Sequence, residues 1–103
     1  MLEKEIEGWL RKRLRESGCL CYKFISPGNT GVPDRIVITR EGRVIFVELK
    51  TDKGRLSKLQ QAHIQKLRRN RADVRVVRGW EEAMAFAKEV CRYGYEETDS
   101  AQV

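Results

Sequence analysis

Gly31-Val32-Pro33-Asp34-Arg35-Ile36-Val37-Ile38-Thr39, then Arg40-Glu41-Gly42, then Arg43-Val44-Ile45-Phe46-Val47-Glu48-Leu49-Lys50-Thr51, is the stretch whose reading decides the fold. Both flanks are rich in Val and Ile, and three residues ending in glycine join them, the pattern of an antiparallel hairpin. Pro33 has a fixed φ and no amide donor, so it suits the entry to a strand and not its interior. If the hairpin closes at Arg40-Glu41-Gly42, opposed residues have numbers summing to about 82. Asp34 then falls opposite Glu48, where Cβ atoms on one face lie about 4.5–5.5 Å apart. Strand alternation sends Ile45, Val47 and Leu49 to one face, and Val44, Phe46, Glu48 and Lys50 to the other.

Working outward, Leu2, Ile6, Leu10 and Leu14 recur every four positions with Trp9 beside them, which predicts an amphipathic helix over 2–16 that Gly18 stops. Leu20 to Ile25 reads as a strand, with Cys19 and Cys21 facing one side as small half-buried thiols. It is followed by the turn cluster Ser26-Pro27-Gly28-Asn29-Thr30-Gly31. After the hairpin, Asp52-Lys53-Gly54-Arg55 is a polar turn, and Ser57-Lys58-Leu59-Gln60 opens a second helix running to about Arg69. Val74 to Val77 is a short apolar strand reached through that helix, hence parallel to the one before it. A third helix spans Trp80 to Arg92, with Glu81 and Glu82 in its first turn. The class is α/β: a mixed four-stranded sheet flanked by helices in the order αβββαβα, one domain over 1–95, with a disordered tail over 96–103.

A chain of 103 residues closes one modest core. Its 21 Lys and Arg against 15 Asp and Glu give a net charge of +6, the balance of a protein that meets phosphates. The longest apolar runs are strand-sized and the N-terminus is charged, so no membrane partner and a cytoplasmic protein are expected. Three cysteines without a CxxC pair support neither a disulfide framework nor a zinc site.

Chemistry concentrates on the hairpin. Two bare carboxylates at that separation repel, and a divalent cation is the usual reason for tolerating them. Mg²⁺ favours a couple of carboxylates, waters and phosphate oxygens. Lys50 is a mobile cation placed to stabilise charge developing on a phosphate. On spacing alone the same residues also fit a capped turn at Asp34 and a Glu48–Lys50 ion pair on an exposed face. Gln60 is open in the same way: it shares a helix face with Leu56 and Ile64 and can aim at the acids, and Ser57-x-x-Gln60 is also a capping box. Glu3 and Glu7 both flank the apolar stripe of the first helix, and periodicity does not choose between them. His63, the only histidine, has no ligand partner at coordinating spacing and is assigned no chemistry. Basic residues gather at 11–15, at Lys50, Lys53, Arg55 and Lys58, and at 66–71; the middle cluster is the best placed to hold a phosphate backbone. Nothing suggests readout of base edges.

Gly31-Val32-Pro33-Asp34-Arg35, Val47-Glu48-Leu49-Lys50, Leu59-Gln60 and Val74-Arg75-Val76-Val77, in that order and spacing, resemble the virus-type replication-repair nuclease (VRR-NUC) domain of the PD-(D/E)xK nuclease superfamily. The similarity runs from Glu3 to about Val90. It implies a restriction-endonuclease-like core in which Asp34, Glu48 and the Leu49 carbonyl bind Mg²⁺ or Mn²⁺. It implies also that Lys50 and Gln60 act in catalysis and that a helix glutamate, Glu3 by the matched pattern or else Glu7, completes the site. The expected function is a metal-dependent, structure-selective DNA endonuclease, namely a homodimeric Holliday-junction resolvase of a phage or bacterial cell. The alternatives are a nuclease of flaps, ends or DNA in general, and a non-catalytic DNA-binding module that kept the fold.

Overall fold

The computed structural model describes residues 2–91. Its elements are α1 (Glu3–Glu16), β1 (Leu20–Lys23), β2 (Arg35–Ile38), β3 (Val44–Lys50), α2 (Lys58–Arg69), β4 (Asp73–Arg78) and α3 (Gly79–Val90), in the expected αβββαβα order. The tail expected at 96–103 and Arg92, the last residue expected for the third helix, lie outside the described residues; α3 itself ends at Val90, with Cys91 as its C-cap. No helix among the described residues is long and apolar enough to cross a membrane.

The four strands form one sheet in sequence order. β2 pairs antiparallel with both β1 and β3, and β4 runs parallel to β3, since α2 carries the chain back before β4 begins. The hairpin register is the expected one: Arg35 pairs with Val47, Ile36 with Phe46 and Val37 with Ile45. β1 ends two residues before the expected Ile25. The Phe24 amide still donates to the Asp34 carbonyl at 2.9 Å, and beyond it the chain runs toward the turn at Pro27-Gly28 with Ile25 in solvent.

α1 and α3 pack on one face of the sheet. Ile6, Leu10 and Leu14 meet Val37, Ile45, Val47 and Leu49 there, with Ala83, Phe86, Ala87 and Val90 closing the layer. Trp9 and Trp80 meet edge to face at 4.6 Å, joining the two helices. α1 stops where glycine allows it: Gly18 adopts φ 91°, its amide donates to the Arg15 carbonyl, and the Cys19 amide donates to Leu14. Cys19 therefore precedes β1 and is buried, hydrogen-bonded to the Ser17 hydroxyl, while Cys21 lies in the strand and is half-buried. α2 packs on the opposite face over β4, where Ile64 and Val74 are buried. Among the described residues no helix covers the β1–β2 half of that face, and Leu20, Tyr22 and, at the start of β3, Val44 are exposed by 47, 56 and 47 %.

Candidate active site

Asp34 sits one residue before β2, where the register that pairs Arg35 with Val47 continues to bring it opposite Glu48. Pro33, buried beneath it, sets the approach of the chain. The backbone amide of Leu49 favours the charged form of Asp34 and that of Asp34 favours the charged form of Glu48, so each acid feels the other's strand. Glu48 is only 4 % exposed. Lys50 Nζ lies 3.5 Å from Glu48 Oε2, the two side chains sharing one face as alternation requires.

Gln60 resolves a question that spacing left open, because it does both things. Its Oε1 accepts the Ser57 amide at 2.8 Å and its own amide reaches Ser57 Oγ at 3.0 Å, a complete capping box. Its Nε2 meanwhile donates to Glu48 Oε2 at 3.1 Å. The cap fixes the side chain, and the fixed side chain orients the acid. α2 comes this close because Gly31 has no side chain: a Cβ there would lie 2.9 Å from Leu59 and 3.1 Å from the Gln60 amide.

The two helix glutamates separate by their partners. Glu7 is ion-paired with Arg35, a contact that sequence reading missed because it links residues 28 apart in elements of different period. Glu3 is exposed, and its charge acts on both Asp34 and Glu48. Among the described residues, however, no three His, Cys, Asp or Glu side chains gather closely enough to hold a metal together. Glu3 thus adds negative potential at a distance, and the compact part of the site is the two acids.

Electrostatics mark that pair as uncompensated. Burial, then the charge of Glu48, push the Asp34 carboxyl up to about 7, with Glu3 adding to the effect. Burial likewise raises Glu48, against the opposing pull of Lys50. Asp34 Oδ1 is buried and has no hydrogen-bond partner. A buried acceptor without a donor costs free energy, and a cation ligated there would remove that cost. Two hard carboxylate oxygens suit a hard divalent cation better than a soft metal.

Comparison with known proteins gives the same direction. The family model described as the VRR-NUC domain matches residues 3–81. Over 48 residues the chain is 50 % identical to "Putative nuclease p44" of Acyrthosiphon pisum secondary endosymbiont phage 1; the match covers 47 % of this chain and 52 % of that protein. The chain thus spans about half the length of the curated relative it matches. A solved structure titled "VRR_NUC domain" superposes with a TM-score of 0.78 at 25 % identity, covering 84 % of this chain and 94 % of the other. A second, "VRR_NUC domain protein", gives 0.72 at 15 % identity over 91 % of each and speaks to the fold.

Proposed function

Because the chain belongs to the VRR-NUC domain family, we propose that the acids brought together by β2, β3 and α2 are the active site of a divalent-metal-dependent DNA endonuclease. One observation carries this reading: the buried Glu48 carboxylate stands opposite a half-buried Asp34 whose inward Oδ1 lacks any donor, beside a lysine. Asp34, Glu48 and the Leu49 carbonyl are the residues that would hold Mg²⁺ or Mn²⁺. Such an ion, when bound, polarises a phosphate and lowers the pKa of a coordinated water. The chain's own residues do the rest. Lys50 supplies positive charge next to Glu48, where it offsets negative charge developing on a phosphate. Gln60 holds Glu48 in place through a side chain already locked by its cap. Glu3 keeps the region negative and so favours retention of a cation.

The substrate we propose is branched DNA, cut by a homodimer. A four-way junction presents two symmetry-related strands, and one site per chain needs two copies to cut both. The uncovered half of the sheet, with Leu20, Tyr22 and Val44 in solvent, supports this as the face a second copy would cover. The test is a panel of labelled four-way junction, flap, duplex and single-stranded DNA with and without Mg²⁺ or Mn²⁺, beside sedimentation of wild type and Val44→Glu. Paired symmetric nicks in the junction and a wild-type dimer that Val44→Glu splits are expected. Metal-dependent cutting of duplex ends or flaps instead would keep the nuclease and remove the resolvase. No metal-dependent cleavage of any substrate by folded protein would remove both.

A further inference from the structure

A second feature stands on the other flank of α2. Between α2 and the edge strand β4 runs an open groove of ≈ 530 Å³, whose walls carry Arg55, Arg68 and Arg78 together with Gln61 and Gln65 over a floor at Ile64. The three arginines come from three places: the loop 51–57, α2 and the end of β4. In the sequence they belong to two separate basic runs and to none, so only the fold makes them one surface.

Their bonding is incomplete in a consistent way. Arg68 Nη2 donates to the Val74 carbonyl at 2.6 Å, and Arg78 Nε donates to the Gly54 carbonyl at 3.2 Å. Each of these two guanidiniums is held by a backbone oxygen and keeps further donors for something else. Arg35, Arg43, Lys50 and Arg75 are ion-paired, whereas none of the groove arginines takes part in an ion pair among the described residues. Even Glu82, which is adjacent, accepts the Arg78 backbone amide at 2.8 Å. Three gathered guanidiniums repel one another, and a phosphate diester, whose oxygens match the guanidinium fork, relieves that repulsion.

The groove is also joined to the site. Arg78 is the register partner of Lys50, Arg55 lies in the loop that links the strand of Glu48 to the helix of Gln60, and Gln61 follows Gln60. We propose that this groove seats the DNA phosphate backbone flanking the scissile position, gripped by Arg55, Arg68 and Arg78 with Gln61 and Gln65 as neutral hydrogen-bonding walls. The inference rests on the DNA-nuclease reading above and adds to it the side of the site on which the DNA lies.

Fluorescence anisotropy with a labelled four-way junction, in chelator so that nothing is cut, tests it across a salt series. The triple variant Arg55→Gln, Arg68→Gln, Arg78→Gln is expected to bind roughly a hundredfold more weakly, with the log–log salt slope reduced by about 0.9 per lost phosphate contact. Lys12→Gln, an exposed cation on α1 across the sheet, should leave both within about twofold of wild type. Because Arg68 and Arg78 also brace backbone carbonyls, Gln65→Glu is the second arm: it keeps all three arginines and sets a carboxylate among them, and should weaken binding about tenfold. Wild-type affinity and slope in the triple variant, or in Gln65→Glu, overturn the groove while metal-dependent cleavage by the wild type leaves the nuclease standing. Wild type that neither binds nor cuts overturns both.

Discussion

The sheet carries two clusters of charge, on opposite faces, each built around one Asp and one Glu. On the α3 face, Arg75 grips Glu89 at 2.8 and 2.9 Å and Asp73 at 2.6 and 3.2 Å, Arg43 reaches both acids, and Arg75 stacks 5.9 Å over Phe86. Two acids meet two arginines, and the shifts follow: Asp73 falls and Glu89 falls to about 2, each chiefly through hydrogen bonds from Arg75, which itself rises. On the α2 face, Asp34 and Glu48 share one lysine and both shift upward. A balanced cluster is complete as folded. An unbalanced one costs free energy until a ligand of opposite charge arrives, which is why function is assigned to the second and stability to the first.

The largest effect that would break this contrast lies at the acids. Asp34→Asn and Glu48→Gln are expected to lower metal-dependent cleavage by about a thousandfold or more, in single-turnover assays on whichever DNA the wild type cuts. Without metal, both should melt above the wild type. The sign for Asp34 is fixed by its shift: the folded carboxyl at about 7 lies above the ordinary value of 3.8. The stability contributed by its protonated form is therefore complete below about pH 4 and lost as pH rises through about 7. The thermal advantage of Asp34→Asn should be full above pH 7 and vanish near pH 4, and added Mg²⁺ should shrink it by stabilising only the wild type. Variants that melt below wild type at pH 8 would mean that the pair is satisfied as folded.

Much of this site was legible in the sequence because a strand has a strict period of two and a three-residue turn fixes register. Asp34 opposite Glu48, and Lys50 beside it, follow from those facts alone. Gln60 was legible only as a choice between cap and site, since a sequence does not show that an amide has one end for each. Glu3 and Glu7 were indistinguishable by helical phase; the Arg35 partner of Glu7 separates them, and it lies in another element. Arg55 already stood in the basic run expected to hold a phosphate backbone, but its assembly with Arg68 and Arg78, like the Arg43–Asp73–Arg75–Glu89 cluster, was not legible, because each joins residues whose separation is set by how α2 and α3 lie on the sheet.

A middle-sized effect belongs to the glycine that brings α2 to the acids. Gly31 adopts φ 98° and a Cβ would meet the Leu59 backbone at 2.9 Å, so Gly31→Ala combines a disfavoured conformation with a clash against atoms that cannot swing away. A loss of about 2–3 kcal/mol in urea unfolding is expected. Cleavage should fall roughly tenfold or more at temperatures where the variant is folded, since Gln60 is displaced with the helix end. Full activity in a destabilised Gly31→Ala would show that the approach of α2 serves the fold and not the site.

The smallest effect sharpens the comparison from the other side. Arg75→Leu leaves an apolar chain against Phe86 and leaves Arg43 to cover two acids, and since all four groups are partly in solvent the loss should be only about 1 kcal/mol. Asp73 and Glu89 titrate below their ordinary values, so the stability they contribute is present above about pH 4.5 and disappears as pH falls toward about 2. The gap between wild type and Arg75→Leu should therefore be widest near neutral pH and close in acid, the reverse of the course expected for Asp34→Asn. Cleavage should be unchanged, because the cluster faces α3 and has no charge left over for a ligand. A folded Arg75→Leu that binds DNA normally but no longer cuts it would join the two faces into one site, and the separation of balanced from unbalanced charge would no longer sort structure from function.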